Sequence, residues 1–221
     1  MKTNSVFILI WIAALTFVSG LLNGTGVLAY ASALSHHTGN LTRAAVELSR
    51  LNIHSALHIL TLPASFFTGA FISGLLFHEK NFEFSKRYGI LLMSFSLVFM
   101  YLGVFNTAAM PSTLFICLVL GIQNGMFIFY KGILIRTAHF TGYLTDAALC
   151  LGSVFRGKAE GDKKKSDLKK SLFYLLSILC FTAGGMCSVF INVPGVFFTA
   201  AVLYFICGLC YFILRKLRQR N

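Results

Sequence analysis

The apolar residues of this chain come in blocks far longer than the helices of a soluble core, and the charged residues mark the breaks. No Asp, Glu, Lys or Arg stands between Lys2 and Arg43, between Arg50 and Glu79, between Arg87 and Lys131, or between Lys170 and Arg215. Crossing a bilayer as a helix takes about 20 predominantly apolar residues. The last two gaps each exceed 40 residues, so each fits two spans joined by a turn. Turn signals stand at Asn106-Thr107 to Pro111-Ser112 and at Asn192-Val193-Pro194-Gly195. The pattern predicts six spans, near Val6–Ala33, Ala56–Phe77, Tyr88–Phe105, Thr113–Ile135, Leu172–Ile191 and Val196–Leu214. Two further helices, Leu41–Leu51 and Leu144–Phe155, are too short or too polar to cross and read as re-entrant or interfacial.

Composition agrees. Charged residues make up 12% of the chain and hydrophobic ones 57%, where a soluble domain carries about 25% charge. With 23 Phe and 3 Pro, disorder, collagen and a secreted disulfide scaffold are excluded as well. Lys2 followed by Val6–Val18 and Ser19-Gly20 resembles a secretory signal. With no soluble domain behind it to deliver, a retained first helix is expected. Sixteen of the 19 Lys and Arg fall on one side of a six-span plan: Lys2, the 78–87 loop, a basic loop at 156–170 with Arg136 before it, and the tail. Only Arg43 and Arg50 fall on the other. The positive-inside rule then places both termini in the cytoplasm. The net charge of +12 reads as a topology signal, not a nucleic-acid footprint.

An internal repeat carries more information than the composition. The first copy reads Gly20-Leu-Leu-Asn23-Gly24 and then His36-His37-Thr38-Gly39-Asn40-Leu41-Thr42-Arg43-Ala44-Ala45. The second reads Gly121-Ile-Gln-Asn124-Gly125 and then His139-Phe140-Thr141-Gly142-Tyr143-Leu144-Thr145-Asp146-Ala147-Ala148. Both share G-x-x-N-G in an apolar helix followed by H-x-T-G-x-L-T-x-A-A. The copies sit on spans one and four, and this offset of three spans, an odd number, puts them in the membrane in opposite directions. The fold expected is an all-α integral membrane protein of about six transmembrane helices, built as two inverted three-helix repeats over residues 1–105 and 106–221. Inverted repeats are a device of secondary transporters, with the site where the halves meet.

The repeated residues suit such a site. Glycine weakens helix continuity, while Asn23, Gln123 and Asn124 offer donors and acceptors to freed backbone groups or to a substrate. The first helix of each half is therefore expected to be interrupted at its Gly/Asn cluster; close helix packing is the plainer reading of the glycines. Thr38-Gly39-Asn40 and Thr141-Gly142-Tyr143 read as turns opening short helices, with Thr or Asn as caps, and inward-pointing helix N-termini are ready anion sites. Asn23, His36, Thr38, Asn40, Gln123, Asn124, His139, Thr141 and Asp146 are the candidate substrate-binding residues. Arg43 and Asp146 hold equivalent repeat positions with opposite charge. They are candidates for a gate pair, against local pairing of Arg43 with Glu47. Lys131 lies within a predicted span, either snorkelling or facing a substrate cavity.

The residues His36–Ala45 with their upstream Gly-x-x-Asn, and Gly121-Ile-Gln-Asn124 through Asp146, resemble the YoaK-type bacterial membrane proteins, a family of unknown function. The resemblance covers nearly the whole chain and implies a bacterial inner-membrane protein of the same helical plan. Asn40 fits the family's first T-G-N, and Tyr143 its more variable second copy. The resemblance supplies neither a reaction nor a catalytic residue.

Other polar groups read more plainly. Cys207-Gly-Leu-Cys210 has metal or redox spacing, but lies inside a span where Cys acts as a small hydrophobe. His54 and His58 share a helix face; a structural pair is favoured over a metal site or proton relay. No H-E-x-x-H, no paired midplane Asp and no G-x-S-x-G occurs, so an intramembrane enzyme is disfavoured and no cofactor or metal is implied. The leading reading is a small secondary transporter or exporter of an unidentified small solute. The alternative is a non-transporting lipid-binding or partner subunit. Membrane lipids are expected partners, with an anionic lipid at the basic loop as one reading of Lys163–Lys170. A homo-oligomer stays open.

Overall fold

A computed structural model describes residues 2–77, 85–105, 109–126, 128–130, 133–156 and 161–220. Among these residues eight α-helices follow one another: α1 (Lys2–Tyr30), α2 (Thr38–Ser49), α3 (Ile53–Leu76), α4 (Lys86–Phe105), α5 (Ala109–Gly125), α6 (Phe140–Phe155), α7 (Gly161–Cys187) and α8 (Val193–Arg220). Between α5 and α6 two short antiparallel strands, β1 (Ile128–Tyr130) and β2 (Ile133–Ile135), pair Phe129 with Leu134. A single 3-10 turn (Ser188–Phe190) follows α7. Among the described residues five helices, α1, α3, α4, α7 and α8, are long and apolar enough to cross a membrane, so this is a multi-pass membrane protein. Many large apolar side chains on them, among them Phe67, Phe71, Leu97 and Leu179, are exposed, as a lipid-facing surface requires.

The core is a set of close helix pairs made by glycine. Gly20 of α1 meets the Phe181 carbonyl of α7, and Gly184 of α7 meets the Phe17 carbonyl of α1. Between α5 and α3 the same device recurs, with Gly121 on the Phe66 carbonyl and Gly69 on the Leu118 carbonyl. Adding 101 to the α1 numbers gives the α5 numbers, and adding 115 to the α3 numbers gives the α7 numbers. One turn further on, Gly24 of α1 meets Gly185 of α7 and Ser188 just after it, and Gly125 of α5 meets Ser73 of α3, so the contacts advance together and α1 runs parallel to α7 and α3 parallel to α5. α4 and α8 run antiparallel: Gly89 faces the Phe212 ring and Gly103 the Phe198 ring, with Phe99 stacked on Tyr204 at 5.6 Å between them. The short helices double back along their successors. α2 lies antiparallel to α3, starting where His37 meets Phe66; α6 lies antiparallel to α7, starting where Phe140 meets Phe181.

Four expectations need correction. The fourth span, predicted to Ile135, stops as a helix at Gly125, about 25 Å long, and the chain then turns back through β1 and β2. The first helix is not interrupted: α1 continues through Gly20, Asn23 and Gly24 to Tyr30, because its glycines face neighbouring backbone and Asn23 keeps its side chain for the following loop. The basic loop is helical from Gly161 onward. Lys is a good helix former, and Asp162 complements the N-terminal dipole. Neither short helix has a Thr or Asn cap; His37 and His139 occupy the N-cap positions without a capping hydrogen bond.

Candidate functional site

Gln123, on α5, is the polar centre of the bundle. It is 2% exposed, and each polar atom has partners from another segment. Its Nε2 donates within reach of the Leu15 carbonyl (3.1 Å), Ser19 Oγ (2.8 Å) and Thr137 Oγ1 (2.7 Å), three acceptors for two protons. The Tyr204 hydroxyl donates to its Oε1 at 2.5 Å. One side chain thus ties α1, α5, α8 and the segment before α6 together, where an unpaired amide would cost several kcal/mol.

Both repeat copies turn their asparagine Oδ1 to the backbone of the loop that follows. Asn23 Oδ1 accepts the backbone N–H of Leu34 (2.9 Å) and Ser35 (3.0 Å), and the Ser35 hydroxyl (2.9 Å). Asn124 Oδ1 accepts the N–H of Ala138 at 2.9 Å, the position that matches Ser35 under the repeat. Seven residues before Asn40 stands Ala33, whose carbonyl accepts from Asn40 Nδ2 at 2.9 Å. Seven before Tyr143 stands Arg136, whose N–H donates to the Tyr143 hydroxyl at 2.7 Å. Chemically different side chains therefore close the same loop in each half. Burial raises the Tyr143 pKa, opposed by that N–H.

The loops these groups close bring the H-x-T-G segments together. The His36 ring lies 6.1 Å from Phe140 of the other copy and 5.7 Å from Phe181. Its Nδ1 is 2.7 Å from Ser35 Oγ. Burial, then the charge of His139, lowers its pKa. His37, in the 31–37 connection, packs on Phe66 at 4.7 Å as Phe140 packs on Phe181 at 4.2 Å. Burial and the His36 charge, opposed by the Leu34 backbone, bring its pKa to about 4, and its buried Nε2 has no partner. The exposed His139 folds over Gly142, where a Cβ would meet its ring.

The remaining candidates stand apart. Thr38, Thr141 and Asp146 are exposed. Arg43 forms neither the gate pair nor the local pair with Glu47: it donates to the Ala31 carbonyl at 3.1 Å, while Glu47 pairs with Arg50 at 3.4 Å. Lys131 lies outside the described residues. His54 and His58 line a polar cleft of about 560 Å³ with Arg43, Glu47 and Arg50. Among the described residues no three His, Cys, Asp or Glu gather as a metal site, and Cys207 is a buried free thiol. Neither this cleft nor a larger one between α1 and α7 is lined by Asn23, His36, Gln123, Asn124 or His139. Ser35, Thr137 and Tyr204 escaped the sequence reading. Only the isolation of each polar group among apolar neighbours could have pointed to them.

The family described as "Protein of unknown function (DUF1275)" matches residues 11–214, and the chain belongs to it. No curated protein and no solved structure matches the chain.

Proposed function

We propose that this member of an uncharacterised membrane family is a small secondary transporter of two inverted repeats, carrying a small solute at the repeat interface. The observation that carries the reading is the meeting of the two H-x-T-G segments, His36 of one against Phe140 and His139 of the other. Architecture supports it. α1 parallel to α7, α5 parallel to α3, and α4 opposed to α8 are the directions expected of halves that enter the membrane oppositely. α2 begins midway along α3, and α6 begins midway along the apolar stretch that α7 opens, Leu172–Ile191, which fits re-entrant helices with inward N-termini. The YoaK-type resemblance and the distribution of Lys and Arg fit the inner membrane with both termini in the cytoplasm. Two exchanging halves supply alternating access.

Two experiments test this. In a cysteine-free background, Leu51→Cys and Phe155→Cys, exposed beyond α2 and at the end of α6, react with an impermeant thiol reagent from opposite membrane faces; labelling from one face refutes the inversion. Liposomes holding only the purified protein show flux of at least one solute in an anion, amino-acid and metal panel. No flux across that panel removes the carrier reading. A lipid-binding or partner role without transport is favoured by one feature: the meeting point is filled by Phe140, Phe181 and Phe66 around the imidazoles.

A further inference from the structure

A cleft of about 760 Å³ runs between α1 and α7, within the range of sites that hold small ligands. Its two ends differ in chemistry. Lys165, Lys169 and Lys170 line one end, with Asp162 as the acidic residue among them. Ile10 and Ala13 of α1 and Leu172, Leu176 and Cys180 of α7 line the other. Along α7 the apolar stretch from Leu172 to Cys180 rises about 12 Å, close to the depth of one leaflet, about 15 Å. An anionic head beside a single apolar tail of leaflet length is the chemistry of a phospholipid.

Under the repeat, positions 165, 169 and 170 of α7 match Arg50, His54 and Ser55 of the first half, where α3 starts only at Ile53, so the lysine-bearing start of α7 is an extension that the other half lacks, with three cations where the first half has one. They carry the cleft's surplus of positive charge. We infer that this cleft binds an anionic phospholipid, its headgroup on Lys165, Lys169 and Lys170 and one acyl chain between α1 and α7. The site stands independently of transport.

The test uses the full chain purified from nanodiscs of phosphatidylcholine with a minor share of phosphatidylglycerol, with retained lipid counted by native mass spectrometry. Phosphatidylglycerol is retained in preference to phosphatidylcholine. Each lysine near an anionic surface contributes about five-fold, so K165Q/K169Q/K170Q weakens retention about 100-fold. K163Q/K164Q, on the same helix but outside the cleft, changes it less than two-fold. Ala13→Phe fills the apolar end and releases the lipid with every lysine in place. Equal retention of both lipids, or equal loss in K163Q/K164Q, overturns the proposal. Displacement by millimolar inorganic phosphate overturns the lipid assignment in favour of a soluble anion.

Discussion

Replacing Gly20 by Ala tests the close packing of α1 on α7. A Cβ built at Gly20 lies 2.0 Å from the Phe181 carbonyl oxygen, and real Cβ contacts essentially never fall below 3.0 Å. The obstacle is backbone, so no side-chain rotation relieves it and α1 must move from α7 by about 1 Å. A gap of that size forfeits up to about half of each dispersion contact along the interface. Overpacking a tight core costs about 1–3 kcal/mol, and a backbone obstacle puts Gly20→Ala near the top, about 3 kcal/mol. For a chain of this size that is a fall in Tm of about 6–12 °C, read by thermal unfolding in detergent. Gly121→Ala, 2.1 Å from the Phe66 carbonyl, matches it. Gly20→Ala with Gly184→Ala costs less than the sum, because one separation of the helices admits both methyl groups. Gly74→Ala and Gly152→Ala meet nothing within 4 Å and gain about 1 kcal/mol of helix propensity. A Gly20→Ala protein within 1 kcal/mol of wild type, or one indistinguishable from Gly74→Ala, refutes the reasoning.

Three further outcomes are expected. Gln123→Leu, which copies Leu22 of the other half, strands the Tyr204 hydroxyl and costs about 3 kcal/mol; adding Tyr204→Phe recovers part of it, and a purely additive double variant contradicts the network. Leu51 sits at φ 60° after α2 and is exposed, so Leu51→Gly relieves a left-handed strain of about 1 kcal/mol and raises Tm, whereas a lower Tm counts against it. His37 stays neutral in the fold down to about pH 4 while its unfolded form protonates near 6.5. Its contribution is therefore complete above the unfolded pKa and is lost as pH falls from about 6.5 to 4. His37→Phe, which copies Phe140, flattens that limb of the stability–pH curve, and an unchanged limb sinks the assignment.

Much of the fold is legible in the charge gaps, because a long uncharged run has no way to be stable except across a bilayer. They locate α1, α3, α4, α7 and α8 within a few residues, apart from the long helical extension of α7 through the lysines. The break after α5 was not legible, since Asn124-Gly125 ends a helix where Asn23-Gly24 does not. The motif is the same, and what differs is the two extra residues before His139 that the second loop has to accommodate. At 161–170 charge alone points to a loop, whereas lysine favours helix and the segment is helical. At the candidate site the residue types were legible but their partners were not. Asn and Gln in an apolar helix signal a polar demand without saying who makes it, and for Asn23 and Asn124 it is the loop's own backbone.

The matched contacts and the unmatched ones have different consequences. Glycine crossings, Asn-to-loop bonds and the His37–Phe66 and Phe140–Phe181 pairs recur in both halves, so under an exchange of the two halves they cost nothing net. Gln123 does not recur: Leu22 stands at its repeat position and has no polar atom to offer Tyr204, Ser19 or Thr137. On the inverted-repeat reading, a state in which the halves have swapped conformations would lack this network, and the conformation described here is the favoured one by whatever the network contributes. A difference of about 2.7 kcal/mol holds a minor state near 1%, and a buried amide with this many partners reaches that scale. On that reading the symmetry would supply two related states, and Gln123, one of the residues that break it, would set which of them is populated at rest.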